Sequence, residues 1–186
     1  MRKALGYIAA VVLLVAFVGY GSNTTRAAAS ATRVSTATHV STTAAACSKV
    51  GTKKLSKTRF LLHAGLGIGA FRHFVYTPFK AGKFNKGAKG RVKAMAIAGA
   101  AALFTLHELK VAKGFAESNK TLCKLVAPID KLAASLPSLG SGLKSGKLNG
   151  GSISSTATNV ASLKGSSTKL GAPITEHVPP SIPGAS

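Results

Sequence analysis

Apolar residues in the middle of the chain recur at helical spacing. In residues 57–76 they follow steps of three and four, which places one apolar stripe along a helix. These positions are Phe60, Ala64, Gly67, Ile68, Phe71 and Phe74 or Val75. Thr77 before Pro78 predicts the end of the helix, because the residue before a proline is pushed out of the helical region. A second helix is predicted over residues 89–113, around the uncharged run "AMAIAGAAALFTL".

A third helix is predicted over residues 115–136, with Pro128 marking a kink or a restart. Its apolar positions keep the same spacing at Leu122, Leu125, Val126, Ile129, Leu132 and Ala133. Helix formers far outnumber strand signals here. We therefore predict an all-α domain over residues 47–136. Its first two helices form an antiparallel hairpin through the loop at 78–91, and the third helix packs against them.

The segments on either side of this domain lack a core-forming pattern. Residues 22–46 are dominated by Ser, Thr and Ala and contain no Leu, Ile or Phe, so we predict a disordered spacer. Residues 137–186 are Gly, Ser, Lys and Pro with scattered single apolar residues. They predict a disordered C-terminal tail.

The first 21 residues indicate export from the cytoplasm. Arg2 and Lys3 precede the uncharged run "ALGYIAAVVLLVAFVGY", which has the organisation of an export signal. As a helix this run spans roughly 25 Å, just short of the roughly 30 Å core of a bilayer. Residues 1–21 are therefore predicted to be either a cleaved signal peptide or an uncleaved membrane anchor. In both cases the rest of the protein is expected outside the cytoplasm.

Export bears on the two cysteines, Cys47 and Cys123. In an oxidising compartment a lone pair is expected to form a disulfide. A loop of this length corresponds to roughly 4–5 kcal/mol of stabilisation in the chain-entropy model. Two free thiols or a metal pair are the alternatives, and the wide spacing of the pair does not match metal-ligand motifs.

Small residues predict close contact between the first two helices. Gly65 and Gly69 form a G-x-x-x-G motif, and the second helix has a run of alanines around Gly99. Small side chains on facing helices let the backbones approach. Because glycine destabilises a helix by about 0.5–1 kcal/mol relative to alanine, we expect a neighbour that needs the space. The alternative is a poorly formed, mobile helix.

The charge balance is extreme, with 25 Lys and Arg against four acids and a net charge of +21. Such a chain is attracted to polyanions. Between the first two helices, lysines fall every third residue among glycines, and basic residues continue into the second helix. The predicted anion-binding residues are Lys80, Lys83, Lys86, Lys89, Arg91 and Lys93. The alternative is a merely solvated loop.

Catalytic patterns are missing from the sequence, so we predict a protein that is not an enzyme and has no cofactor. The acids Glu108, Glu117, Asp130 and Glu176 are scattered along the chain, and neither "GKFNKGAK" nor "GLKSGKL" completes a phosphate-binding loop. One alternative stays open, in which His63, His73 and His107 converge across the hairpin on a metal.

The stretches "LLHAGLGIGAFRHFVYTPFKAGKF" and "ALFTLHELKVAKGFAESNKTLCKLVAPIDKL" carry a resemblance. Over residues 57–136 the chain resembles exported proteins of unknown function from high-GC Gram-positive bacteria. This resemblance implies a bacterial envelope location and brings no known activity or ligand.

These observations predict an exported, cationic helical protein of the cell envelope, secreted or anchored to the outer face of the cytoplasmic membrane. Its Lys-rich loop is expected to bind an anionic membrane surface or a cell-wall polymer. One alternative is extracellular nucleic-acid binding, which the charge favours and export opposes. The other is a membrane-dipping helical hairpin, although neither uncharged stretch reaches 18 residues.

Overall fold

Four long helices make up most of residues 47–184, the part of the chain that the computed structural model describes. They are α1 (Ser56–Phe71), α2 (Arg91–Ala116), α3 (Val126–Lys144) and α4 (Gly150–Lys169). No strand occurs within this range, so the all-α prediction is confirmed. The predicted signal peptide or anchor (1–21) and the predicted spacer (22–46) lie outside the described residues.

The helix predicted to end at Thr77 continues past it. A π-helical turn, Arg72–Tyr76, follows α1, and a short helical segment, Thr77–Lys80, follows that turn. Pro78 lies in the first turn of this segment, a position at which proline is common in helices. The π-helical turn contacts α4 as well as α2.

Helices α1 and α2 form the predicted antiparallel hairpin. Thr105 of α2 is fully buried, and its hydroxyl proton is shared between the Ala101 carbonyl at 2.8 Å and the Gly67 carbonyl of α1 at 3.0 Å. Gly67 makes this contact possible, because a Cβ there would lie 3.1 Å from Cβ of Glu108. The backbones of α1 and α2 therefore approach each other closely in the middle of the hairpin.

Helix α2 lies between two neighbours, α1 and α3. Its uncharged middle is buried on both sides, at Ala98, Gly99, Ala100, Ala101 and Ala102. Among the described residues it is the one helix long and apolar enough to cross a membrane. Half of its most apolar 18-residue stretch is buried within the fold. A central core helix of a folded domain has the same length and composition.

Helix α3 continues well beyond the residue at which the disordered tail was predicted to begin. Pro137 lies inside the helix with its ring exposed. Leu132, Leu136, Leu139 and Leu143 are all buried along one face. The burial of these leucines offsets the hydrogen bond that Pro137 removes, so the helix ends only at Lys144.

The prediction of a disordered tail over 137–186 is wrong for the residues that the structure describes. Asn149 caps α4 by accepting a hydrogen bond from the Gly151 N–H at 2.9 Å, and Ile153, Val160 and Leu163 are buried at helical spacing. An extended segment, 172–182, then crosses α1, and we call it the strap. Its buried apolar residues are Ala172, Ile174 and Ile182.

A disulfide joins Cys47 to Cys123, as predicted, with the two Cα atoms 5.2 Å apart. Hydrogen bonds align the chain on either side of it. The Gly51 N–H donates to the Ser118 carbonyl at 3.0 Å, and the Lys49 ammonium pairs with Glu117 at 2.9 Å. The segment before α1 is thereby held along the turn between α2 and α3.

Candidate functional site

The Lys-rich loop, residues 81–90, has a defined conformation. Gly82, Gly87 and Gly90 adopt positive φ angles, which side-chain-bearing residues rarely do. Phe84 is 2% exposed and anchors the loop in the core. Nε of Arg91 donates to the Phe84 carbonyl at 2.8 Å, and its Nη2 donates to the Gly146 carbonyl at 3.2 Å. Arg91, predicted to bind an anion, is therefore half-buried and engaged in holding the loop.

The other predicted anion-binding residues are exposed and form one group around this loop, which we call the lysine surface. They are Lys80, Lys83, Lys86, Lys89 and Lys93. Val92, between Arg91 and Lys93, is 79% exposed. An apolar side chain therefore lies among the cations in the first turn of α2.

No acid neutralises the lysine surface, because each of the four carboxylates of the chain has a partner elsewhere. Glu117 pairs with Lys49, Asp130 with Lys113, Glu108 with His63, and Glu176 with Arg72 and Lys164. The first turn of α2 also contains no acid, although the helix dipole favours one there. Positive potential therefore accumulates at this end of the hairpin.

The predicted packing glycines do allow close approach, but mostly to other neighbours than expected. A Cβ at Gly65 would collide with the backbone carbonyl of Thr175, and one at Gly69 with that of His177. The His177 N–H also donates to the Gly65 carbonyl at 3.1 Å. Gly65 and Gly69 thus accommodate the strap rather than α2. The sequence prediction missed this because it treated the strap as disordered.

Gly99 likewise faces a different partner from the one predicted. A Cβ there would lie 3.0 Å from the Gly140 carbonyl of α3. The contact between α1 and α2 passes through Gly67 instead. The G-x-x-x-G motif therefore marks one face of α1 correctly as crowded, while the neighbour on that face is the strap.

The three histidines considered for a metal site have different surroundings. Nδ1 of His63 lies 2.7 Å from Oε2 of the buried Glu108, and its ring stacks on Phe115 with centroids 5.7 Å apart. His73 meets the edge of the Phe74 ring, and His107 is exposed. Within residues 47–184, no group of three His, Cys, Asp or Glu side chains is arranged to hold a metal ion.

A cluster that the sequence analysis missed lies where the strap meets α4 and the π-helical turn. Glu176 accepts hydrogen bonds from Nη1 of Arg72, at 3.1 and 3.3 Å, and from the Lys164 ammonium. Burial alone would raise the pKa of Glu176, but the hydrogen bonds from Lys164 and Arg72 outweigh it and lower the pKa. The carboxylate is therefore held ionised between two cations.

Comparison with known proteins finds no matching family model, no matching curated relative and no significantly similar solved structure. A function for this chain has to be inferred from its geometry and electrostatics.

Proposed function

We propose that this protein is an exported, non-enzymatic protein of the cell envelope whose lysine surface binds an anionic membrane. The observation that carries this proposal is the group of five exposed lysines without an acidic partner, on one structured loop and the helix ends beside it. The apolar, Arg- and Lys-headed first 21 residues support delivery across the membrane.

The order of the loop supports binding without a large loss of conformational entropy. Phe84 and Arg91 already hold the backbone that carries the lysines. Each Lys near an acidic bilayer contributes about 1 kcal/mol, and the effect falls off within a Debye length. A pre-arranged set of lysines therefore binds more tightly than the same residues on a flexible tail.

Val92 favours a lipid surface over a purely polar polymer. An exposed apolar residue beside basic residues is typical of membrane-interface segments, where the apolar part enters the headgroup region. A cell-wall polymer or DNA offers anionic groups but no comparable apolar layer for this side chain.

The test is co-sedimentation of the full chain with vesicles of phosphatidylglycerol and phosphatidylcholine. Replacing Lys83, Lys86 and Lys89 by Glu should weaken binding by at least about 100-fold, from roughly 1 kcal/mol for each lysine. The matched control replaces Lys120, Lys124 and Lys131, which are exposed outside the loop, and makes the same change in net charge. It should weaken binding much less.

Three results would contradict the proposal. The first is equal loss of binding in the two triple variants, which would indicate a response to net charge alone. The second is tighter binding to DNA or to isolated wall polymer than to the vesicles at the same salt concentration. The third is unchanged vesicle binding by Val92→Ser in high salt, where screening leaves the apolar contribution exposed.

A further inference from the structure

A cleft of about 440 Å³ opens between the π-helical turn, α4 and the strap. This volume falls within the roughly 300–1,000 Å³ typical of small-molecule sites. Its walls are mostly apolar, formed by Phe71, Tyr76, Ala157, Val160 and Ala161. None of the residues of the lysine surface lines it, so it is a separate feature of the molecule.

The charged residues of the cleft leave one positive charge uncompensated. Arg72, Lys164 and Glu176 complete its lining, and the two cations share a single carboxylate. Arg72 contacts Glu176 through Nη1 only, so the other nitrogens of its guanidinium fork remain available to a second carboxylate. The Arg72 side chain is also 64% accessible, whereas Glu176 is 19% accessible.

We propose that this cleft binds a single-chain acyl carboxylate, such as a medium-chain fatty acid. The carboxylate would accept hydrogen bonds from Arg72 and share the positive charge of Lys164. The acyl chain would lie against the aliphatic wall of α4 and the Phe71 ring. One surplus positive charge matches a monoanion, and the small aliphatic side chains of alanine and valine offer an apolar wall against which an acyl chain can lie.

Glu176 acts in this site as an internal competitor. Its carboxylate already satisfies part of the hydrogen-bonding capacity of Arg72 and Lys164. A ligand carboxylate must therefore share both cations with it and is repelled by its negative charge. This arrangement makes an uncommon prediction, because removing the negative charge of Glu176 should strengthen binding of an anion.

The experiment is titration calorimetry of the full chain with decanoate. We expect one saturable site. Glu176→Gln should tighten it and Lys164→Gln should weaken it, each by about tenfold, the size of one charge-assisted hydrogen bond. Lys169→Gln, which removes an exposed charge of the same helix outside the cleft, should leave the affinity unchanged.

A second variant separates occupancy of the cleft from electrostatic attraction. Ala161→Trp places a large ring at an exposed position of the wall and should abolish decanoate binding while the thermal unfolding midpoint stays near that of the parent. The triple variant Lys83→Glu, Lys86→Glu and Lys89→Glu should bind decanoate normally. Its binding would show that the cleft works independently of the lysine surface.

The proposal would be overturned by weaker or unchanged binding in Glu176→Gln, or by several non-saturating sites that respond equally to every lysine replacement. Equal affinity for decyltrimethylammonium would overturn it as well, because that cation has the same chain and the opposite charge. Tight binding of phosphatidylglycerol vesicles through the cleft residues, with no binding of decanoate, would assign the cleft to membrane lipid instead.

Discussion

At the scale of single residues, glycines decide where the strap can lie. Gly65 and Gly69 present bare backbone on α1, and the carbonyls of Thr175 and His177 occupy the space that side chains would fill. Backbone groups cannot be displaced as readily as the tip of a flexible side chain. Alanine is the better helix former, so its absence at these two positions reflects this contact.

Gly69→Ala should therefore lower the free energy of unfolding by about 1–3 kcal/mol, because overpacking shifts the strap. Gly165→Ala is the matched control. Gly165 lies inside α4 with no atom near its missing Cβ, and the same replacement should raise stability by about 0.5–1 kcal/mol. Urea denaturation of both variants measures the effect. Stabilisation by both changes would show that the strap does not press on α1.

Glu176 is expected to make the stability of the fold depend on pH in the acidic range. Its pKa in the folded protein lies below its ordinary value of 4.5, so its ion pairs stabilise the fold above that pH. The stabilisation is lost as the pH falls through the pKa of the folded state. The difference in unfolding free energy between the parent and Glu176→Gln should be constant above pH 4.5 and shrink below it. A difference that does not change with pH would contradict this.

At the scale of elements, sequence patterns predicted α1, α2 and the start of α3 because apolar residues cluster densely there at helical spacing. Helix α4 was missed for a compositional reason. Its buried positions are single apolar residues, Ile153, Val160 and Leu163, separated by Ser, Thr, Ala and Asn. Two further buried positions are polar, Thr156 and Ser167. The stripe exists in the sequence, but its average polarity resembles that of a disordered tail.

Those buried polar residues fit because their hydroxyls are hydrogen-bonded, and the Ser167 hydroxyl donates to the Ala172 carbonyl of the strap. Thr156 donates to the Ser152 carbonyl at 2.8 Å and lies 3.2 Å from the Ser135 hydroxyl of α3. Within the described residues, no buried side-chain nitrogen or oxygen lacks a partner. A threonine with satisfied hydrogen bonds can therefore replace an apolar residue at an interface, and hydropathy alone does not reveal it.

Helix α4 should contribute measurably to stability if it packs as described. Leu163→Ala, at a position with no solvent exposure, should lower the free energy of unfolding by about 2–5 kcal/mol. Leu62→Ala is the control, because Leu62 of α1 is 49% exposed and the same change should cost far less. Chemical denaturation followed by circular dichroism measures both. Equal, small effects of the two changes would indicate that residues 150–169 do not pack on the domain and form part of a disordered tail, as the sequence predicted.

At the scale of the whole molecule, the positive charge could be predicted from the sequence most easily. The ion pairs between residues far apart in the chain could be predicted least. The lysine surface is local in sequence, so its composition alone pointed to it. The pair of Arg72 and Glu176 is separated by 104 residues, and no pattern in the sequence connects them. Only the strap, folding back over α1, brings them together. The candidate cleft is therefore formed only by tertiary contacts, whereas the lysine surface is formed by residues that are close together in the sequence.

The bond between Cys47 and Cys123 also determines how the molecule responds to pulling. The residues between the two cysteines form a closed ring that contains α1, the lysine surface and α2, while α3, α4 and the strap follow outside it. Tension applied between the two ends of the chain passes from one sulfur to the other and bypasses the ring. In optical-tweezer extension, reduction should release roughly 250–270 Å of extra contour, at about 3.3–3.6 Å for each of the 76 residues spanned. While the disulfide is intact, α3 and α4 unfold under the applied force. The hairpin that presents the lysines carries no tension.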